Sequence, residues 1–304
     1  MPQPQPPPPP LLPQFPRPRR GAGAQSPLRI RPPPQRPTRS KTPLILAAGV
    51  AAYGLSLYTT YLYTTLKDLP LAPSSPHLQP NHAKVYNALA NEYDTNIWFS
   101  ELTMGLPLLR RALARRAHGH VLEASVGTGR NAAYYDMRKC TSVTIVDSSR
   151  EMLEVARAAF AAKHPASSEV RVRCVQMDAA APLPPPPIPP TLSSEGKYDV
   201  VIQSMGICSH EDPVALLRNL GRAVKGESEG GRIILLEHGR SRFDWVNGVL
   251  DRLAWGHARR WGCWWNRDVG ELVERSGLRV LEVKRYHFGT TWWVVAVPPD
   301  KGGK

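Results

Sequence analysis

No acidic residue occurs before Asp68. The eight basic residues from Arg17 to Lys41 therefore supply more than half of the net charge of +14, and the rest of the chain is only mildly basic. Once that leading excess is set apart, total charge no longer supports a nucleic-acid-binding reading, and no nucleic-acid partner is expected. Cysteine is scarce too. Cys140, Cys174, Cys208 and Cys263 are the only four in 304 residues, and none form a C-x-x-C pair. That spacing argues against a disulfide scaffold and a zinc knuckle, and no metal site is expected. Aromatic residues make up only 8% of the chain.

Proline is abundant, at 32 residues, 16 of them before residue 44 and a second cluster between Pro182 and Pro190. Each proline lacks an N–H donor and fixes φ, so both stretches are expected to lie outside the packed fold. About 210 residues remain for a core, enough for one α/β domain. Residues 1–41 combine the arginine-rich, acid-poor character of a mitochondrial import segment with the proline content of a disordered tail. Thr42 to Leu66 is a run of 25 uncharged residues between Lys41 and Lys67, with Tyr58, Tyr61 and Tyr63 gathered at its far end. As a helix it would measure roughly 37 Å, against a hydrocarbon core of about 30 Å. A single transmembrane helix over 42–66 is therefore expected, contacting the lipid bilayer and followed by a linker over 67–81. The basic arm would stay on the side that attracts positive charge.

From residue 82 the pattern becomes globular. Helical spacing over 84–93 and 101–117 precedes strand-like runs at His120–Ser125, Ser142–Asp147, Val170–Met177, Tyr198–Gln203 and Arg232–Glu237, with helices expected at Arg130–Met137, Ser149–Lys163 and Pro213–Val224. The proline-rich run 179–197 replaces one crossover. This βαβ alternation argues for a parallel sheet covered on both faces. The end differs: a helix over Asp268–Ser276 is followed by Arg279–His287 and Thr291–Val297, separated by only three residues. That spacing suits an antiparallel hairpin. The expected fold is α/β, a Rossmann-like seven-stranded sheet with a C-terminal antiparallel hairpin.

Glu123-Ala-Ser-Val-Gly127-Thr-Gly129-Arg-Asn131 follows the first strand. Its glycines let backbone N–H groups approach a ligand. A helix opening there would add partial positive charge. Asp147 ends the second strand, where a carboxylate can accept both ribose hydroxyls of an adenosine, and Asp178 ends the third, within reach of an adenine amino group. Glu123 favours a cationic α-amino group near the cofactor's tail over a pyrophosphate, since two anions repel. Gly127-x-Gly129-x-x-Ala132 also matches a dinucleotide fingerprint, so an NAD-binding oxidoreductase is a competing reading. The carboxylates and the terminal hairpin favour S-adenosyl-L-methionine.

The segments VLEASVGTGRN (121–131), IVDSS (145–149), YDVVIQSMGICSHEDP (198–213), RIILLEHGRS (232–241) and WGCWWNRDVGELVERSGL (261–278) together resemble the fungal mitochondrial inner-membrane methyltransferase-like proteins of the OMS type, within the class I methyltransferases. The resemblance spans about Val85 to Pro298, making 82–304 the methyltransferase domain. It implies a mitochondrial inner-membrane enzyme held by one span; with the basic arm in the matrix, the C-terminal domain is expected to face the intermembrane space. It also implies S-adenosyl-L-methionine at Glu123, Gly127, Gly129, Asp147 and Asp178, with Ser148 and Met152 flanking the adenosine. Ser125 departs from the wider methyltransferase loop, which has glycine there. The methyl acceptor, a lipophilic small molecule or a protein, is not implied. A degenerate domain serving as an assembly or scaffold factor is the alternative.

His210, after the fourth strand, and His238, at the end of the fifth beside Glu237, are the candidate catalytic bases, because ligands sit at the carboxyl ends of parallel strands. A histidine at a strand end also serves as a satisfied structural residue. Seven of the eight tryptophans fall between Trp245 and Trp293. They suit an aromatic pocket, an interfacial face or a core. Adjacent strand residues face opposite ways, so Trp292 and Trp293 must enter different environments.

Overall fold

The computed structural model describes residues 41–66, 82–90, 92–165, 172–187 and 196–299. The proline-rich arm, the linker over 67–81 and residues 188–195 of the insertion lie outside the described residues. The chain divides into two compact units, Met1–Ser56 and Leu57–Lys304. Helix α1 (Thr42–Leu66) has the expected bounds and leaves Leu44, Ile45, Leu46 and Val50 exposed. The expected membrane span is corrected: among the described residues, no helix is long and apolar enough to cross a membrane. Five Thr, four Tyr, two Gly and one Ser make up nearly half of α1. A segment without charge is not thereby strongly apolar.

The second unit is built on a seven-stranded sheet of β1 (Gly119–Ala124), β2 (Cys140–Asp147), β3 (Val172–Gln176), β4 (Val200–Ser204), β5 (Arg232–His238), β6 (Arg279–Tyr286) and β7 (Thr291–Val297). The order is β3-β2-β1-β4-β5-β7-β6. β1 to β5 pair in parallel, while β7 runs antiparallel between β5 and β6. This confirms the expected sheet and its closing hairpin. Strand alternation builds two cores. Val121 and Trp293 face one that includes Leu113 and Phe160, while Leu122 and Trp292 face another that includes Leu216 and Leu217. The two adjacent tryptophans thus enter opposite layers.

Helices cover both faces: α2 (His82–Leu89), α3 (Tyr93–Thr103), α4 (Leu106–Ala114), α5 (Arg150–Lys163), α6 (Pro213–Ala223), α7 (Asp244–Trp261) and α8 (Val269–Ser276). Side-chain caps start three of them. Ser149 accepts from the Met152 N–H at α5, Asp212 from Ala215 at α6 and Asp268 from Glu271 at α8.

Three expectations are revised. The helix expected over 101–117 is broken at Gly105, whose left-handed φ of 66° starts α4 afresh, with Pro107 in its first turn. The helix expected at Arg130–Met137 is a single 3-10 turn, Ala132–Tyr134, so the glycine loop does not open an α-helix. The beginning of the proline-rich insertion packs on the body, where the sequence placed it outside. Asn219 Nδ2 donates to the carbonyls of Ala179 and Ala181, and the Tyr198 hydroxyl donates to Pro184 O at 2.8 Å.

Candidate active site

A cleft with about 750 Å³ of free space, open to solvent, lies at the carboxyl ends of β1, β2 and β4. Its floor is the turn after β1. Ser125, Gly127 and Gly129 take left-handed φ values of 49°, 58° and 78°. Ser125 therefore follows the path that glycine takes most easily, at a cost of roughly 1–3 kcal/mol. Met205, which also lines the cleft, sits at φ 54° after β4.

Asp147 lines the cleft. Its Oδ2 accepts from the Gly127 N–H at 2.8 Å and its Oδ1 from the Ser149 N–H at 2.9 Å. Burial raises its pKa, opposed by these backbone bonds. Ser148 and Met152 line the same wall. Gly127, Asp147, Ser148, Met152 and His210 are the predicted residues that the structure brings together.

The other four lie elsewhere. Glu123 is 1% exposed and beneath the cleft, its oxygens accepting from Asn131 Nδ2 at 2.8 Å and the Tyr135 hydroxyl at 2.6 Å. Burial raises its pKa. Gly129 serves packing: a Cβ there would stand 3.0 Å from Ala156 Cα of α5. Asp178 is exposed and outside the lining, its Oδ1 2.7 Å from His210 Nε2. His238 is half-buried with its Nε2 2.8 Å from Cys263 Sγ and does not line the cleft. His210 does line it, and both of its ring nitrogens have partners, Nε2 at Asp178 Oδ1 and Nδ1 accepting from the Asp212 N–H at 3.1 Å. Of the two candidate bases, His210 thus lies at the cleft, tied to its own loop and to Asp178, and His238 lies outside the lining.

Sequence reasoning missed Tyr86, Tyr93 and Arg110, which line the cleft from the N-terminal helices, and Arg130, which lines it from the turn after β1. Arg110 is 5% exposed. It binds Glu101 at 2.8 Å and donates to Asn131 Oδ1 and Ser204 Oγ. Arg130 binds Glu101 at 2.8 Å and Asp94 at 2.9 Å. Burial works against the Glu101 carboxylate, but the two guanidinium groups outweigh it and hold its pKa low. The signal was the acid in α3 seven residues after Asp94, which no cofactor motif marks. None of the tryptophans lines the cleft, so the aromatic-pocket reading passes to Tyr86 and Tyr93. Burial pushes the Tyr93 phenol well above its ordinary range.

The pattern of the Methyltransferase domain family matches residues 100–283. The chain belongs to the Methyltransferase domain family. The chain is 41% identical to the Saccharomyces cerevisiae protein "Methyltransferase OMS1, mitochondrial" over 214 residues, 69% of this chain and 45% of that protein. The chain thus spans less than half the length of that curated relative. In fold, this methyltransferase domain is similar to a chain of the complex between the Haloferax volcanii Trm112 methyltransferase activator and a methyltransferase, with TM-score 0.50 and 16% identity, over 70% of this chain and 97% of that one.

The cleft of the methyltransferase domain fits a nucleoside joined to an amino-acid tail. Nothing stands within 4 Å of the position a Gly127 Cβ would occupy, so ligand atoms can approach the turn. Asp147 offers anionic oxygens, Met152 an apolar wall and Arg110 a cation. A pyrophosphate fits less well, because the turn leads into a 3-10 turn and lacks the dipole of an α-helix N-terminus.

Proposed function

We propose that the chain binds S-adenosyl-L-methionine in this cleft and catalyses methyl transfer to an acceptor. One observation carries the reading: Asp147 ends β2 with its carboxylate in the cleft and oriented by the Gly127 N–H. When bound, the sulfonium supplies an electrophilic methyl group. The residues of the chain bind and orient. Asp147 accepts from the ribose hydroxyls with lone pairs its backbone bonds leave, Ser148 and Met152 flank the adenosine, and Arg110 or Arg130 faces the carboxylate tail. The described lining holds no histidine with a free ring nitrogen, which supports alignment over proton abstraction by this chain. The bond from His210 ties Asp178 to the loop after β4, at the adenine end.

Calorimetry on the full chain with S-adenosyl-L-methionine, its demethylated product and NAD tests the reading. Binding of the first two and not NAD is expected, with binding lost in Asp147→Ala. Tighter binding of NAD would overturn it. Binding with no transfer to any lipid or protein acceptor in organelle extracts would favour the scaffold alternative.

A mitochondrial location is proposed on the likeness to the yeast relative together with the acid-free leading arm. Contact of α1 with a bilayer is proposed on its exposed aliphatic side chains. No span or sidedness is assigned. Release of the chain by carbonate would fit peripheral contact, and a chain found only in soluble fractions would refute the contact.

A further inference from the structure

Behind the loop after β4, three soft donors converge that the cleft chemistry leaves unused. Cys208 lies in the 3-10 turn Ile207–Ser209, His238 is the last residue of β5, and Cys263 follows α7. Their ligand atoms all lie within 4.8 Å of one another, and His238 Nε2 is 2.8 Å from Cys263 Sγ. A tetrahedral zinc ion with ordinary Zn–S and Zn–N bonds sets its donor atoms roughly 3.3–3.8 Å apart, so small side-chain rotations would fit the triangle to an ion. The three residues come from sequence positions far apart and share no short motif. This is why their spacing gave no zinc signature.

The surroundings fix the three segments against one another. The Trp264 N–H donates to Cys208 O at 3.0 Å, joining the two cysteine segments. Arg267 Nη1 donates to the carbonyls of Ile207 and His210, bracketing the Cys208 turn. Glu237, the residue before His238, accepts from the N–H groups of Gly206 and Ile207 at 3.1 and 3.2 Å. His257 Nδ1 meets Cys263 O at 2.9 Å. Charge balance points the same way. Two thiolates and a neutral imidazole cancel a dication, so a metal adds no net charge to a pocket that already holds the buried Glu237 and the half-buried Arg267. On the cleft side, Ser209 Oγ lies 3.4 Å from Cys208 Sγ and 2.5 Å from the Tyr86 hydroxyl. Both Ser209 and Tyr86 line the cleft.

We propose that Cys208, His238 and Cys263 form a binding site for a zinc-class divalent cation, with three protein ligands and a fourth position supplied from the cleft side. Three ligands plus one exchangeable position is the coordination of zinc sites that meet a substrate or water. The site stands whether or not the cleft transfers a methyl group, because it rests on the donor set alone.

The test uses the full chain, purified under reducing conditions and freed of metal with a chelator. Titration with Co²⁺ is expected to give one ion per chain, with the thiolate-to-cobalt charge-transfer band and the intense visible bands of tetrahedral coordination. Zn²⁺ should then bleach them. Cys263→Ser should weaken binding beyond the roughly 10–100-fold that outer-shell changes cause. A Cys140→Ser, Cys174→Ser double variant should bind as the unaltered chain does. X-ray absorption of the zinc-loaded unaltered chain needs no variant to fold, and should show two Zn–S bonds near about 2.3 Å with the remainder nitrogen or oxygen. A zinc shell without sulfur, a cobalt spectrum that survives Cys263→Ser, or a Cys208–Cys263 disulfide in the reduced purified chain would each overturn the proposal.

Discussion

Alanine substitutions at Gly127 and Gly129, two residues apart in one turn, should behave differently. In Gly129→Ala, the left-handed φ of 78° costs roughly 1–2 kcal/mol for a residue with a Cβ. The new methyl also meets Ala156 Cα at 3.0 Å and Ala156 Cβ at 3.1 Å. These atoms belong to the buried face of α5 and cannot swing away, so overpacking adds about 1–3 kcal/mol. A stiffer unfolded chain returns about 0.4–1 kcal/mol. The net loss is about 2–4 kcal/mol, a large share of the roughly 5–15 kcal/mol that holds a domain together. In Gly127→Ala, φ is 58° and no atom lies within 4 Å of the new Cβ. Only the backbone term remains, about 1 kcal/mol after the same correction, but the methyl stands where a ligand approaches. Urea denaturation measures the first quantity and calorimetry with S-adenosyl-L-methionine the second. Gly129→Ala should lose more stability, and Gly127→Ala should lose at least tenfold in affinity, about 1.4 kcal/mol. Equal losses of stability would refute the division of labour, and so would unchanged affinity in Gly127→Ala.

Glu101→Gln should destabilise the fold by about 3–5 kcal/mol, because it leaves Arg110 and Arg130 without their buried partner; urea midpoints at neutral pH check this. The folded-state pKa of Glu101 lies below its unfolded value of 4.5, so its contribution is present above about pH 4.5 and is lost as pH falls through the folded value. The variant should show a shallower fall in stability below that pH. His210→Gln should keep turnover well within the roughly 10²-fold loss that marks removal of a general base, as single-turnover methyl transfer would report. Tyr198→Phe should cost about 1 kcal/mol by freeing Pro184 O and leave cofactor affinity unchanged, whereas a loss of affinity would show that the docked part of the insertion supports the cleft.

The sheet was legible because its strands are short apolar runs closed by turn residues, and because only three residues separate β6 from β7. Asp147 and Gly127 were legible because strand-end position fixes where a side chain points. Helix α7 was not legible. It buries only Asn247, Ala254 and Ala258, so no apolar stripe marks it, and Gly248 and Gly256 lie within it. The lone turn after Gly129 was read as a helix because Arg130–Met137 has helical spacing, yet Asn131 and Tyr135 are drawn inward to Glu123. Glu123 itself was assigned to the cofactor from its place in the strand. Two local donors claim its oxygens, and sequence spacing alone does not show such competition. Arg110 and Glu101 escaped notice because their partnership joins helices that Gly105 separates.

Helix α3 buries only Glu101, while Trp98 and Phe99 on the same helix remain exposed. Charge, more than apolar contact, fastens it over the cleft. Its two anchors differ in their access to ions in solution: the Asp94 side chain is 49% exposed and that of Glu101 only 7%. At about 0.15 M salt the screening length is near 8 Å, so added electrolyte weakens the Asp94–Arg130 end while the Glu101 end holds. Ionic strength thereby acts on one edge of the helix, and the entrance beside Thr128, whose hydroxyl donates to Asp94 at 2.6 Å, loosens before the rest of the wall.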